Sequence, residues 1–542
     1  MTFLDANRWQ GDAIRADVAI VGAGAAGLAL AREFTGRAVQ VALIEGGDFQ
    51  PRQRNQSMYL GENTGRTNDS LAVSRFRSLG GSTTRWGGQC RPLDPIDFEV
   101  RDGFEQSGWP FGLSHLEPYY RRAQEFCRLG PFTYDPADWS ASCGGPLPLE
   151  SELLQTRVYQ FGYPTDLGLV YREEFRGGAA GNPTVYLNAN LVEIQSDPAA
   201  TRVTGLRLIT GSGRRISVEA ALYVLACGGI ENARLLLASD RVHPGGLGND
   251  HDLVGRYFMD HPYVFPGYFQ PARRDFDRSF YVIEGYDQVG TEQKMHAAFG
   301  LSERVIRAEG LNGGSVYLLR RPRYKAVAPY WSPGGRAVNH LIELLQRRER
   351  SDGRLGQDLA SIAADLPNVG RTAWGRLRGL KGGDQVLALR VALEPTPCRE
   401  SRVTLGQRTD RLGMRRVQVH WRLNDSDKRG YERLMQVLRS ELPRLGLGRL
   451  VEHGLYDADG WPSAMTGGKH HMGTTRMHPD PRQGVVDADC KVHGLTNLYV
   501  AGSSVFPTCG YANPTLTIAA LAIRLAERLK RCLRNPVGGG EG

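Results

Sequence analysis

Two apolar runs near the N-terminus, Val18–Val21 and Val39–Ile44, are separated by a glycine-rich turn and a helical stretch. The first run leads straight into Gly22-Ala-Gly24-Ala-Ala-Gly27, Leu28–Phe34 reads as a helix, and the second run ends on Glu45. Short continuous apolar runs of this kind are expected of buried strands. A second strand–glycine–helix passage follows at Ala221–Ala226, Cys227-Gly228-Gly229 and Ile230–Ser239. A third runs from Asn497–Val500 through Ala501-Gly502-Ser503-Ser504 to a helix from Pro514 to about Lys530, with Asn513 as its expected N-cap. Between these passages the pattern changes. Thr184–Ile194, Val203–Ile209 and Arg215–Val218 alternate as strands, the last two around Gly211-Ser-Gly213, a hairpin signal. Val386–Glu394, Ser401–Leu405 and Arg416–Trp421 predict strands of a second, largely antiparallel sheet, and Asp427–Leu442 predicts an amphipathic helix. A helix is also expected from Leu116 to about Cys127, with Pro118 in its first turn, where a missing N–H is harmless.

The strand–turn–helix–strand order of residues 17–45 gives the glycine motif its chemical meaning. Gly22 permits the tight turn, Gly24 lets a pyrophosphate approach the backbone, and Gly27 lets the helix pack on the sheet. The helix N-terminus offers unpaired N–H groups to the phosphates. Glu45 stands where a carboxylate can accept hydrogen bonds from an adenosine ribose. A dinucleotide site follows, but the motif alone does not separate NAD from FAD.

At 542 residues the chain is too long for one core, so two or three domains are expected. No apolar run approaches the ~18 residues that a bilayer span needs. Residues 1–15 have neither an apolar core nor twin arginines, and the eight cysteines form no CxxC pair. A cytoplasmic protein with reduced thiols is expected. Most of the net charge of +9 lies in residues 301–382, which hold 15 Lys/Arg against 7 Asp/Glu. Arg320-Arg321-Pro-Arg323-Tyr-Lys325 and Arg347-Arg348-Glu-Arg350 are its densest parts. This is either a solvated, partly helical insertion or a docking surface for an acidic partner. Nucleic-acid binding is not expected, because no recognised module accompanies the charge.

Two more stretches carry candidate chemistry. Ser78-Leu-Gly-Gly-Ser-Thr-Thr-Arg-Trp-Gly-Gly88 reads as a loop lying close against a flat ligand. Gly467-Gly-Lys-His-His-Met-Gly473 places two histidines in a glycine-rich turn. No third ligand with zinc-like spacing stands nearby, so no metal is expected.

Taken together, Gly22-x-Gly24-x-x-Gly27 with Glu45, Gly80-Gly81-Ser82, Trp109-Pro110 with Pro118-Tyr-Tyr120, Ala226-x-Gly228 with Ile230-Glu231 and Arg234-Leu-Leu, His470-x-Met-Gly473, and Asn513-Pro514 resemble the glucose–methanol–choline (GMC) oxidoreductases, in family order. The resemblance does not cover 131–182 and 263–390. It implies FAD and a fold of class α/β and α+β. A discontinuous Rossmann-like FAD-binding domain would comprise 15–130, 183–262 and 465–535. A substrate domain on a mostly antiparallel sheet would comprise 131–182 and 263–464. In such enzymes a catalytic His and a second His or Asn face the flavin N5. The His-x-φ-Gly pattern assigns the first role to His470 rather than His471, and the second position is Asn513. A His–Asn pair is similar to the pyranose oxidase and cholesterol oxidase branches, and the wording around it to the sugar-oxidising side. Substrate contacts are expected from His470, His471 and Asn513. Cofactor contacts are expected from Gly22, Gly24, Ala25, Gly27, Glu45, Gly80, Gly81, Ser82, Arg85, Trp86, Gly87, Val192, Ala226, Gly228, Ala501, Gly502, Asn513, Pro514 and Thr515.

Some relatives attach FAD through a His just before the Trp of Ser-Thr-His-Trp. Here Arg85 stands in that place, and noncovalent FAD is expected. The implied reaction is oxidation of a CH–OH group, on a sugar or glycoside, with oxygen or an unidentified carrier accepting the electrons. The competing readings are a non-sugar alcohol as substrate, a lyase with a structural flavin, a noncatalytic flavin-binding protein, and an NAD(P)H-dependent reductase. The last would usually need a second GxGxxG in strand–helix context, and none is found.

Overall fold

The structure, a computed structural model, describes residues 3–534 apart from 67–69, 103, 105, 142–144, 148, 150, 177–180, 274–278, 284–293, 348–354 and 381–383. The N-terminal pattern folds as expected: Ala13–Val21 is a strand, Ala25–Arg32 a helix and Val41–Ile44 the next strand. These two strands pair in parallel at the centre of an eight-stranded sheet. Strand Thr184–Leu187 extends the sheet on one side, and Arg215–Leu225 joins it on the other. The C-terminal strand Leu498–Val500 then pairs in parallel with Arg215–Leu225. All three strand–glycine–helix passages thus open at the same sheet edge, where helix N-termini and strand C-termini meet. Switch points of this kind are where α/β sheets bind ligands.

Arg215–Leu225 is one long strand, which unites the segment expected as a hairpin arm with the apolar segment after it. The hairpin with Val203–Thr210 is present, turning through Gly213. Thr184–Ile194 is divided at Asn188, whose φ of 59° breaks the extended backbone. Pro118 lies inside helix Leu113–Phe126, not in its first turn, because that helix starts five residues earlier.

The second sheet has ten strands and is mostly antiparallel. Its centre is Gln385–Leu393 paired with Gly314–Pro322 over nine residues. Met295–Leu301 and Leu154–Phe161 continue it. The helix Asp425–Arg444 covers one face, burying Tyr431, Leu434, Met435 and Leu438 against Val316, Leu318 and Leu389. A capping box fixes its start, with Asn424 and Asp427 each satisfying the other's backbone N–H. Arg402–Thr409 and Arg415–His420, expected in this sheet, form a separate three-stranded sheet with Glu62–Asn63. Their partner strand comes from residues about 350 positions away, which no local pattern reveals.

The basic stretch contains the central strand Gly314–Pro322, with Arg320 and Arg321 on it. The chain from there to Gln385–Leu393 folds mainly as helices Pro333–Arg347, Leu355–Ala364 and Leu366–Leu380. Leu359, Leu366, Trp374 and Leu377 on them are exposed. Arg348 and Arg350 lie outside the described residues. Among the described residues no helix is long and apolar enough to cross a membrane.

Candidate active site

A cavity of about 750 Å³ begins at the first glycine turn and ends between the two sheets. Gly22 turns the chain with φ +103°, a conformation open to glycine and strained for other residues. Beside it Glu45 is buried, and its two oxygens accept from the backbone N–H groups of Ala23 (3.0 Å) and Gly47 (2.7 Å). Each oxygen keeps a further lone pair for a ligand hydroxyl. Burial raises the Glu45 pKa, against those two bonds and the Arg77 charge.

The cavity wall after the second passage rests on a buried ion network. Glu231 pairs with Arg75 (2.7 Å) and Arg234 (3.2 Å), and Arg234 with Asp410 (2.7 Å). Burial pushes Glu231 up, but Arg234, Arg75 and Arg77 outweigh it and hold its pKa at about 2. The Ile230-Glu231 and Arg234 motif therefore ties helix Gly228–Ala238 to the loop before Gly80. Trp109 and Tyr120 have a similar tying role. The Trp109 Nε1–H donates to Thr508 Oγ1 (2.9 Å), and the Tyr120 hydroxyl meets Thr517 Oγ1 (2.8 Å).

The far end of the cavity is built by two antiparallel segments. Pro262–Val264 pairs with Met465–Gly467, and Met259 exchanges backbone bonds with Met472. Between those pairings, Gly468–His471 must bulge opposite Asp260 and His261. The Asp260 carboxylate accepts from the N–H groups of Lys469 (3.2 Å) and His470 (2.8 Å), which pins the bulge. The His470 ring is thereby held 5.0 Å from the His261 ring and 5.9 Å from Tyr263, edge-on to both. Its Nδ1 is 2.9 Å from His261 Nδ1, and its Nε2 is 3.4 Å from Asn513 Nδ2. Burial first, then His261, His471 and Arg390, hold the His470 pKa well below its ordinary value, so the ring is neutral at pH 7.

Asn513 does not cap the last helix, Thr515–Arg534. Its buried Oδ1 has no hydrogen-bond partner and its Nδ2 turns to His470. An orphaned buried carbonyl is costly, and a ligand hydroxyl at this spot would satisfy it.

Most of the expected site residues border this one cavity: Gly22, Gly24, Ala25, Glu45, Gly81, Ser82, Arg85, Trp86, Gly87, Ala226, Gly228, Gly502, His470, His471, Asn513, Pro514 and Thr515. Gly27, Gly80, Val192 and Ala501 do not border it. Gly27 packs behind the turn, Gly80 donates its N–H to Ala23 O (2.8 Å), and Ala501 is tied to Leu225 O (2.8 Å). On the strand, Ala189 and Leu191 face the cavity, so the alternation turns Val192 away. The ring of His471 lies against Phe258, 5.7 Å between centroids, with Nε2 4.0 Å from Asp260. Among the described residues no group of three or more His, Cys, Asp or Glu could hold a metal ion.

The GMC oxidoreductase family matches residues 397–522, the stretch that holds His470 and Asn513. Paromamine 6'-oxidase of Streptomyces fradiae is 25% identical over 94% of this chain and 90% of its own length. This chain is similar to the GMC oxidoreductases over that stretch, and it is an FAD-dependent alcohol oxidoreductase. C-glycoside 3-oxidase of Arthrobacter globiformis is 35% identical to it over 24% of each chain. The structure of pyridoxine 4-oxidase from Mesorbium loti shares the fold, with a TM-score of 0.58 over 95% of this chain and 99% of its own chain at 17% identity. A lycopene cyclase protein family matches residues 17–73, which contain the first glycine turn and Glu45.

Sequence reasoning missed three groups at the far end of the cavity. Tyr263, Arg390 and Gln89 border it, each from a different strand or strand end of the second sheet. It also missed His261, which touches His470 from behind. The only local signal was Asp260-His261-Pro262 immediately before a strand, which has no meaning until Met465–Gly467 is paired with it.

Proposed function

We propose that this protein is a GMC oxidoreductase that oxidises a sugar or glycoside hydroxyl to a carbonyl, with His470 as general base and FAD held noncovalently. One observation carries the reading: a neutral, half-buried His470 beside the unsatisfied Oδ1 of Asn513, at the end of a cavity that starts on a dinucleotide-type glycine turn. The residues fit FAD along that whole path. Glu45 would accept from the adenosine ribose, the turn at Gly22–Gly24 would face the pyrophosphate, and the helix starting at Thr515 would direct its N-terminus at the flavin. FAD bound there supplies the hydride acceptor. His470 Nε2 takes the hydroxyl proton. Asn513 holds the same oxygen by donating from Nδ2 to its lone pair, a bond that strengthens as the proton leaves. Relatives that oxidise paromamine and C-glycosides support a sugar-like substrate.

The test is anaerobic absorbance of the purified yellow protein, titrated with sugars, glycosides and simple alcohols. A sugar or glycoside is expected to bleach the flavin. Bleaching only by non-sugar alcohols would overturn the substrate class. Failure with every alcohol would favour a structural flavin. Admitting air then decides between oxygen and a carrier as the electron acceptor.

Noncovalent attachment has its own check. Arg85 borders the cavity where a His would be needed. The nearby Cys227 is a poor nucleophile, since burial pushes its thiol up to about 12 and its Sγ–H donates to Val21 O (3.2 Å). Acid precipitation is expected to release all the yellow colour into the supernatant, and colour in the pellet would refute it. The cysteines described here are unpaired, which supports a reducing compartment, the cytoplasm.

A further inference from the structure

His261 is fully buried and bordered by groups that fix its proton. Its Nε2 lies 3.0 Å from the carbonyl oxygen of Gly510. A carbonyl oxygen only accepts, so Nε2 carries the hydrogen. A neutral imidazole has one N–H, which leaves a lone pair on His261 Nδ1. That lone pair faces His470 Nδ1 at 2.9 Å. One of the two nitrogens must donate, and only His470 can. Its Nδ1 therefore holds the hydrogen, and its Nε2 is the lone pair beside Asn513. The reverse arrangement would set two acceptors against each other at Gly510.

We propose that His261 is a positioning residue that locks His470 in the Nδ1–H tautomer, so that the basic nitrogen is the one facing the substrate. The inference rests on the reading of His470 as the base. In the step it serves, the substrate O–H bond breaks and an Nε2–H bond forms. His470 becomes an imidazolium whose Nδ1–H is already accepted by His261. The hydride would leave the carbon bearing that oxygen, with its electron pair, for the acceptor that bound FAD supplies.

A neutral acceptor suits this place better than a carboxylate. A carboxylate would stabilise the imidazolium before substrate arrives and fill the base with a solvent proton. His261 stays neutral: burial, against the Gly510 bond and the Glu394 charge, lowers its pKa to about 4. The other groups around the pair are Arg390 and His471, which lower His470, Lys469 beside it, the Tyr263 ring, and Asp260, whose carboxylate accepts from the backbone of the bulge.

Two measurements test this. The first is 15N NMR of the oxidised holoenzyme labelled at histidine, with His470 assigned by signals lost in His470→Gln. An unprotonated Nε2 and a protonated Nδ1 are expected for His470, and the opposite for His261. A protonated Nε2 on His470 would overturn the proposal. This readout needs no substrate, so it decides the tautomer even if no alcohol reduces the flavin and the proposed function itself fails.

The second is stopped-flow flavin reduction across pH. His261→Leu removes the acceptor and is expected to lower the limiting rate about 10²-fold or more, by analogy with wrong-tautomer triad variants, with KM and bound FAD near wild type. His261→Asp restores an acceptor. It is expected to recover to within about 10-fold of wild type and to move the acid limb of the rate to higher pH, because a carboxylate raises the pKa of His470. A His261→Leu rate within about 3-fold of wild type, on an unshifted pH profile, would overturn the proposal. Should His261→Leu fail to fold, the NMR result on the native enzyme still decides.

Discussion

Replacing His470 with alanine leaves a yellow protein whose flavin is bleached by substrate about 10²–10⁴ times more slowly. The loss follows from the proposed geometry. Alanine removes the acceptor for the hydroxyl proton and leaves Asn513 Nδ2 without its partner. The dinucleotide end of the cavity is untouched, because Gly22, Glu45 and Gly81 are held by bonds that do not involve His470. Single-turnover bleaching and flavin stoichiometry separate the two effects. A near wild-type bleaching rate would end the general-base role, and loss of flavin would mean that the ring supports the cofactor instead. The pH profile of the native enzyme gives an independent check. The His470 pKa lies well below its ordinary 6.5 because burial, His261, His471 and Arg390 all disfavour the charged ring. The base form is therefore still present at pH 6.5. The rate should hold steady as pH falls through that value and decline only below it. An acid limb centred at 6.5 would point to a solvent-exposed histidine.

The parts legible in the sequence are those set by local rules. The turn at Gly22, the helix behind it and the acid at Glu45 lie within one 29-residue stretch, and their periodicity and glycine spacing specify each other. The pairing of His470 with Asn513, 43 positions apart, was legible only through a resemblance, because no local pattern places those two side chains together. What was not legible depended on register or on distant partners. Val192 and Leu191 differ by one position, yet alternation sends them to opposite faces, and register was not fixed by composition. The strands Arg402–Thr409 and Arg415–His420 looked like extensions of the large antiparallel sheet, but their third strand is Glu62–Asn63. Asn513 before a helix read as a cap. Its amide is instead drawn to His470, 43 positions earlier in sequence. His261 was invisible for the same reason, since it meets His470 across 209 positions. Local propensity predicts which elements exist, whereas the proposed catalytic geometry arises where two antiparallel segments from distant parts of the chain pair.

Gly27→Ala is expected to give a protein that is both unstable and colourless, whereas Gly24→Ala is expected to lose only its flavin. The two glycines stand three positions apart in one motif, but their surroundings differ. A Cβ on Gly27 would come 1.8 Å from the carbonyl oxygen of Gly22 and 3.0 Å from its carbon. Both contacts are backbone, so no side chain can turn aside. Either the helix Ala25–Arg32 lifts from the sheet or the turn at Gly22 opens. Overpacking of this kind costs about 1–3 kcal/mol, and more where rigid backbone is struck. The Gly22 turn that would face the dinucleotide is distorted in either case. A Cβ on Gly24 would meet only the Cα of Gly81 at 4.0 Å, an ordinary contact, and φ of −80° at Gly24 accommodates alanine. The apoprotein should therefore tolerate it. On the proposed reading, the space that the methyl enters is the space the pyrophosphate would need, so affinity for FAD should fall by about 10–100-fold, the equivalent of about 1–3 kcal/mol. The comparison is made on flavin-free proteins: thermal unfolding of both apo variants against stripped wild type, then titration with FAD. Equal melting for Gly24→Ala with weaker binding, and lower melting for Gly27→Ala, would locate the ligand on the Gly24 side of the turn. If Gly24→Ala bound FAD as tightly as wild type, the cofactor would not pass over this turn, and the assignment of the cavity's first end to the dinucleotide would fall with it.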